Sequence, residues 1–115
     1  MNRRVAIVVH NDEPTRRLIS RALSVFSPAY EVITADTLSS ASQWIDTARP
    51  DLLLLMGDDE HVEESTSWAQ RHAVDPSLVI LVGADDEFAK SRAMTGVAEP
   101  VHVAALLAAI HQLAG

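Results

Sequence analysis

The residues of this chain that are able to do chemistry lie in three short segments. Residues 10–13 read His-Asn-Asp-Glu, residues 57–61 read Gly-Asp-Asp-Glu-His, and Glu99 stands directly before Pro100. Carboxylate oxygens are the ligands that Mg²⁺ prefers, and a histidine beside them adds a group that titrates near neutral pH. Cysteine chemistry is excluded, because the chain has no cysteine for a nucleophile, a thiolate metal site or a disulfide.

Short apolar runs define the strands that must position these segments. Continuous runs of Val, Ile and Leu are typical of strands that are covered on both faces, as in a parallel sheet. The predicted strands are Val5–Val9, Glu31–Ala35, Leu52–Leu55, Leu78–Val82 and Gly96–Ala98.

Helical patterns separate the strands. The predicted helices are Pro14–Phe26, Thr37–Ala48, Glu63–Val74, Glu87–Met94 and a last one from Val101 or His102 to Leu113. The second helix is predicted to direct Trp44 inward, and the third helix Trp68.

The alternation of these elements predicts the fold class. The order βαβαβαβαβα with short connections predicts an α/β protein, a flavodoxin-like (βα)5 three-layer sandwich with a five-stranded parallel sheet of order 2-1-3-4-5. In that order the loops after strands one and three are neighbours. We therefore expect the chemical segments to meet at the carboxyl edge of the sheet.

Length and charge limit the classes of function. The 115 residues are predicted to form one domain, residues 1–115. The net charge of −7 argues against nucleic-acid binding, which needs clustered Lys and Arg. No apolar stretch approaches the roughly 18 residues of a membrane helix, and the N-terminus differs from a signal peptide. A cytoplasmic protein is expected.

Three motifs resemble a known family. IVVHNDEPTRRLI, RPDLLLL and GVAEPVHVAALLAAI resemble segments of bacterial response-regulator receiver domains, the CheY-like superfamily, in the same order along essentially the whole chain. The resemblance implies aspartyl phosphorylation. In that family two acids and a phosphoacceptor Asp hold Mg²⁺, while a Ser or Thr after the fourth strand and a Lys before a Pro bind the phosphoryl group.

The chain departs from the family at the positions that carry this chemistry. The acid pair falls on Asn11 and Asp12, the phosphoacceptor on Met56, the hydroxyl residue on Gly83 and the lysine on Glu99. A thioether cannot attack phosphorus, glycine has no hydroxyl, and glutamate reverses the charge of lysine. The resemblance therefore implies a degenerate pseudo-receiver that is not an enzyme, carries no cofactor and no longer performs phosphotransfer.

Two alternatives use the acidic loops instead. Asp12, Asp58 and Glu99 are the candidate ligands of a divalent cation. Asp58 or Asp59 is the candidate phosphoacceptor that would replace Met56.

A further alternative is a small-molecule sensor at the carboxyl edge of the sheet. The chain between Gly83 and Glu99 is several residues shorter than is usual in the family, so the fourth helix should be short and a pocket can open beside Gly83. His10 or His61 is the candidate partner of Glu99 at this edge.

The last helix carries no charged residue. Residues 101–115 contain no Asp, Glu, Lys or Arg. The alanines that cover the predicted wet face are Ala104, Ala105, Ala108 and Ala109. A helix that is apolar nearly all round is usually buried on more than one side, although alanine is also a good helix former on a surface.

The favoured interpretation of this helix is an interaction face. The predicted contact residues are Val101, Ala104, Ala105, Ala108 and His111, together with Phe88 and Met94. The sequence thus predicts a bacterial regulatory module that binds a protein partner or a second copy of itself, with no direct binding of nucleic acid or membrane. Its length also fits the N-terminal domain of a longer regulator that carries an output domain.

Overall fold

The fold is seen in a computed structural model that describes residues 4–25 and 30–114. Five parallel strands form one sheet of order β2-β1-β3-β4-β5, as the sequence predicts. The strands are β1 Arg4–Val9, β2 Tyr30–Ala35, β3 Leu52–Met56, β4 Val79–Val82 and β5 Thr95–Val97. The helices are α1 Glu13–Val25, α2 Leu38–Ala48, α3 Val62–Arg71, α4 Asp86–Lys90 and α5 Val103–Ala114.

The central strands are buried on both faces. Residues 6–9, 52–55 and 79–82 are at most 1% exposed. Helices α1 and α5 cover one face, with Ile19 and Ile110 in its core, while α2, α3 and α4 cover the other. The result is the predicted three-layer sandwich, and burial on both faces explains why these strands read as uninterrupted apolar runs.

The fourth helix is short, as predicted. It has five residues, fewer than the predicted span Glu87–Met94. The Asp85 side chain caps its start by accepting a hydrogen bond from the backbone N–H of Glu87 at 2.9 Å. Ala93, with a φ of 60°, takes a left-handed conformation just beyond its end. No helix among residues 4–25 and 30–114 is both long and apolar enough to cross a membrane.

The two tryptophans differ in burial. Trp68 is 2% exposed, as predicted, whereas Trp44 is 43% exposed, so the prediction that Trp44 faces inward is wrong. The buried stripe of α2 is narrow and consists of Leu38, Ala41 and Ile45. Trp44 lies at the margin of that stripe, where a large side chain remains half in solvent. The predicted end of α1 at Phe26 lies outside the described residues.

Candidate functional site

In the loop after β1, the Asp12 side chain caps the start of α1. The Asp12 carboxylate accepts hydrogen bonds from the side-chain hydroxyl and, at 3.1 Å, from the backbone N–H of Thr15. These bonds, the hydroxyl first, lower the pKa of Asp12. Asn11 beside it is exposed. Asp12, the acid that the sequence resemblance aligns with one member of the receiver acid pair, therefore serves as the cap of α1.

His10 is buried at the end of β1. It is 4% exposed, and its Nδ1 accepts the backbone N–H of Asp12 at 3.0 Å. Its carbonyl accepts a hydrogen bond from Arg16 Nη1 at 2.8 Å. Because Nδ1 is an acceptor, the neutral ring carries its proton on Nε2. Within the described part of the chain that Nε2 has no hydrogen-bond partner, and it lies 3.8 Å from Glu99 Oε1.

The Glu99 carboxylate lies over Gly83. A Cβ atom built on Gly83 would be 2.6 Å from Glu99 Oε1, and the φ of Gly83 is 99°. The Ser or Thr that the family has at this position would collide with the carboxylate. Gly83 and Glu99 therefore fit each other. Because Gly83 has no side chain, it leaves the space beside His10 that the Glu99 carboxylate fills.

Met56 ends β3 as a core residue. It is 6% exposed, and its carbonyl accepts a hydrogen bond at 2.7 Å from the hydroxyl of Ser65, which is fully buried. The next residue, Gly57, is also buried, and a Cβ atom there would be 2.7 Å from Leu81 Cβ. The end of β3 is therefore tightly packed, and its last side chain, the Met56 thioether, can hold neither Mg²⁺ nor a phosphoryl group.

The acidic loop after β3 is held by hydrogen bonds between its own residues and the start of α3. His61 Nδ1 lies 2.9 and 2.8 Å from the two carboxylate oxygens of Asp58. The Asp58 carbonyl accepts hydrogen bonds from the backbone N–H groups of His61 and Val62, at 3.0 and 2.9 Å. The hydrogen bond with Asp58 raises the pKa of His61. Asp58 is thus held at the start of α3, while Asp59 and Glu60 are exposed.

Of the three acids predicted to share a cation, Asp58 and Glu99 line the same cleft beside Gly83, and Asp12 does not. Among the described residues, the cluster whose potential ligand atoms lie within 4.8 Å of one another is Asp58, Glu60 and His61. Asp12 and Glu99 are not part of that cluster, since Asp12 caps α1 and the Glu99 carboxylate lies over Gly83 beside His10. Of the two histidines predicted as partners of Glu99, it is His10 that faces the carboxylate.

A cleft of about 500 Å³ opens beside Gly83, where the sequence places a small-molecule pocket. Half of the eight residues that line it are acidic. Asp85 in this wall caps α4, and Asp86 accepts the backbone N–H of Gly96 at 3.1 Å, which lowers the pKa of Asp86. The space exists, but three of the four acids that line it, Asp58, Asp85 and Asp86, already have hydrogen-bond partners within the fold.

The last helix has an exposed alanine face. Ala104, Ala105, Ala108 and His111 are exposed, as the sequence predicts. Ala109, predicted for the same face, is 7% exposed and packs in the core. Val101 at the entry to the helix is half-buried against the same core.

Of the two residues predicted to extend that face, one is buried and one is exposed. Met94 is 8% exposed and packs in the core of the opposite sheet face, so its placement on the surface is wrong. Phe88 is 38% exposed, with the Arg92 guanidinium 4.4 Å from the centre of its ring. Its helix, α4, buries Ala89 in that same opposite core.

Comparisons with known proteins place this geometry in a structural class. No protein-family profile matches the sequence, and no curated protein matches it. Several solved structures share its fold, and those named here are all receiver domains.

Three of these structures illustrate the likeness. A CheY-like response regulator receiver domain from Methylobacillus flagellatus has a TM-score of 0.74 and 11% identity, with 97% of this chain and 99% of that chain covered. The signal receiver domain of a protein assigned as a Luxo repressor from Vibrio parahaemolyticus has a TM-score of 0.75 and 15% identity, covering 97% and 90%. The receiver domain of a modulated diguanylate cyclase from Desulfovibrio desulfuricans has a TM-score of 0.69 and 19% identity, covering 97% and 94%. The chain therefore has the receiver fold.

The pair of Asp58 and His61 predicts a pH dependence of stability. Because folding raises the pKa of His61 above its ordinary value of 6.5, the pair stabilises the fold fully below pH 6.5 and loses this contribution as the pH rises through the raised value. The side chains are 28% and 40% exposed, so solvent keeps the effect small. As the pH rises above 6.5, we expect Asp58→Asn to lose less thermal stability than the wild type. Asp59→Asn is the control. A profile of Asp58→Asn that equals the wild-type profile would contradict the pairing.

The contact of Glu99 with Gly83 predicts a non-additive double mutant. Gly83→Ala should destabilise the fold by about 1–3 kcal/mol, because an L side chain is strained at this φ and its Cβ meets the carboxylate. In a Glu99→Ala background the backbone strain and the close approach of the new Cβ to the Asp58 backbone nitrogen, 3.3 Å, remain, but the contact with the carboxylate is gone, so the same substitution should cost less. Urea unfolding of the four proteins measures both costs. Equal costs would show that the carboxylate does not lie over Gly83.

Proposed function

We propose that this chain is a phosphorylation-independent receiver domain of a bacterial signalling protein, which acts in the cytoplasm as an interaction or dimerisation module. The observation that carries this proposal is the Glu99 carboxylate over Gly83, beside His10. A transferring phosphoryl group needs fixed positive charge around it. A carboxylate in that place repels the group, and Met56 supplies no oxygen to accept it.

The surface of α5 supports the interaction role. Ala104, Ala105 and Ala108 expose a flat, uncharged patch. Small side chains let another surface approach closely, and uncharged ones cost little to remove from water. The occupant that we propose is a second copy of the chain or a protein partner, including an output domain attached to the same chain. The diguanylate cyclase receiver among the similar structures comes from a protein with such an output.

Phosphorylation of the acidic loop is the competing function. Asp59 is exposed, and Asp58 is held by His61 at 2.8 Å. Neither follows β3 directly, since Gly57 stands between. A working phosphoacceptor would use one of these two acids with Mg²⁺.

A small-molecule sensor is the second candidate, favoured by the cleft beside Gly83. Its acidic wall suits a cationic ligand such as a polyamine. A ligand of this kind would raise the melting temperature by binding the folded state without Mg²⁺. The interaction module predicts no such stabilisation.

Incubation with Mg²⁺ and acetyl phosphate tests phosphorylation independence. We expect the intact mass of the wild type to stay unchanged, because no acid occupies the end of β3. Asp58→Asn and Asp59→Asn run beside it as controls. A phosphoryl adduct that disappears in one of the two variants would identify that acid as the acceptor and refute the proposal.

Sedimentation of variants tests the interaction face. If a second copy covers α5, the mass of the wild type rises with concentration, and Ala108→Glu weakens the association by placing an unpaired charge in the seam. Gln43→Glu, which adds the same charge on an exposed position of α2 on the opposite sheet face, should leave it unchanged. Equal association of wild type and Ala108→Glu would rule out this helix as the dimer seam.

A further inference from the structure

We propose that a second surface, the groove between α1 and the edge strand β2, binds an acidic extended segment of a partner protein. The groove encloses about 520 Å³. Arg16, Arg17 and Arg21 line it from α1, and Thr34 lines it from β2. It is distinct from the alanine face of α5, and the proposal does not depend on that face.

The charge of this groove is opposite to that of the whole chain. Three of the nine Lys and Arg residues line it, against one acid, Glu13. Three positive charges and one negative charge leave a local excess of two positive charges, whereas the chain as a whole has a net charge of −7. A concentrated positive field on an acidic protein attracts negatively charged partners to that one place.

The three arginines are available to a partner to different degrees. Arg16 is fixed by its hydrogen bond to the His10 carbonyl at 2.8 Å, so its position is set in advance. Arg17 pairs with Glu13 at 3.0 Å, but both side chains are more than half exposed, and such pairs contribute little and exchange readily. Arg21 is exposed and forms no ion pair with any residue in 4–25 or 30–114. Arg21 is therefore the residue on which binding should depend most.

The hydroxyl groups in the groove favour a peptide over a bare phosphate. The Ser20 hydroxyl donates to the Arg16 carbonyl at 2.8 Å, and the Ser24 hydroxyl donates to the Ser20 carbonyl at 2.9 Å. Their protons are used within the helix, so their oxygens remain as acceptors. A peptide supplies carboxylates for the arginines and N–H groups for these oxygens. A nucleic-acid phosphate backbone offers acceptors only, so it can pair with the arginines but not with the serine oxygens.

The position of the groove suits an extended occupant. β2 is the edge strand of the sheet and is hydrogen-bonded to β1 alone within the described chain. β2 packs beside α1, and its exposed Thr34 lines the groove. An added segment can lie along such an edge in the direction of the strand.

Fluorescence anisotropy with two labelled peptides tests this proposal. One peptide alternates Glu and Ser, and the other has Gln in place of every Glu. We expect the wild type to bind the acidic peptide more tightly than the Gln peptide, and more weakly as salt is added. Arg21→Glu should weaken binding by about fivefold or more. Arg71→Glu, which reverses an exposed charge at the end of α3 on the opposite sheet face, should retain wild-type binding.

Three results would overturn the proposal. Equal affinity for the two peptides, or an equal loss in Arg21→Glu and Arg71→Glu, would show that the groove does not select acids. Equally tight binding of a labelled oligothymidylate would assign the groove to nucleic acid. Self-association that Arg21→Glu abolishes and Ala108→Glu does not would make a second copy of the chain the occupant. Circular dichroism of Arg21→Gln and Arg21→Glu confirms that each variant is folded.

Discussion

The burial of the central strands on both faces is the constraint from which the rest of the molecule follows. β1, β3 and β4 leave almost no surface to solvent, so a charged side chain inside these strands would lack water and a partner. Chemistry is therefore confined to the carboxyl ends of the strands and to the loops beyond them. The same constraint leaves the outer faces of the helices as large surfaces that can vary without disturbing the core.

At that edge, the polar groups are directed at one another. Asp12 caps α1, Asp58 pairs with His61, and Glu99 fills the space over Gly83 beside His10. A phosphorylation site requires the reverse arrangement, with carboxylates converging on a metal and positive charge left free for the phosphoryl group. Here the Glu99 carboxylate lies over Gly83, at the edge of the cleft, and puts negative charge where such a site needs positive charge.

The sequence predicts the framework well because its signals are strong and local. Apolar runs, helical periodicity and short connections were sufficient for the five strands and their order, while the shortness of α4 followed from comparing the segment Gly83–Glu99 with its usual length in the family that the sequence resembles. The inward placement of Trp44 and the surface placement of Met94 were wrong, since a periodic pattern gives the face of a helix but not how wide its buried stripe is. The pairing of Asp58 with His61 was available from their spacing of three residues at a helix start. The contact of Glu99 with Gly83 was not, because it depends on a backbone angle and on a side-chain direction that only the assembled edge defines.

The central claim is that the Glu99 carboxylate lies beside the His10 ring at the carboxyl edge of the sheet. Its most direct test is the long-range ¹H–¹⁵N NMR spectrum of the His10 ring, in the wild type and in Glu99→Gln. With Nδ1 accepting the Asp12 N–H and Nε2 facing the carboxylate, the neutral ring should be protonated on Nε2. The Nε2 resonance should shift in Glu99→Gln and stay unchanged in Glu87→Gln, an exposed acid on α4. A His10 spectrum that is identical in the wild type and in Glu99→Gln would contradict this claim, because Glu99 would then lie away from the His10 ring.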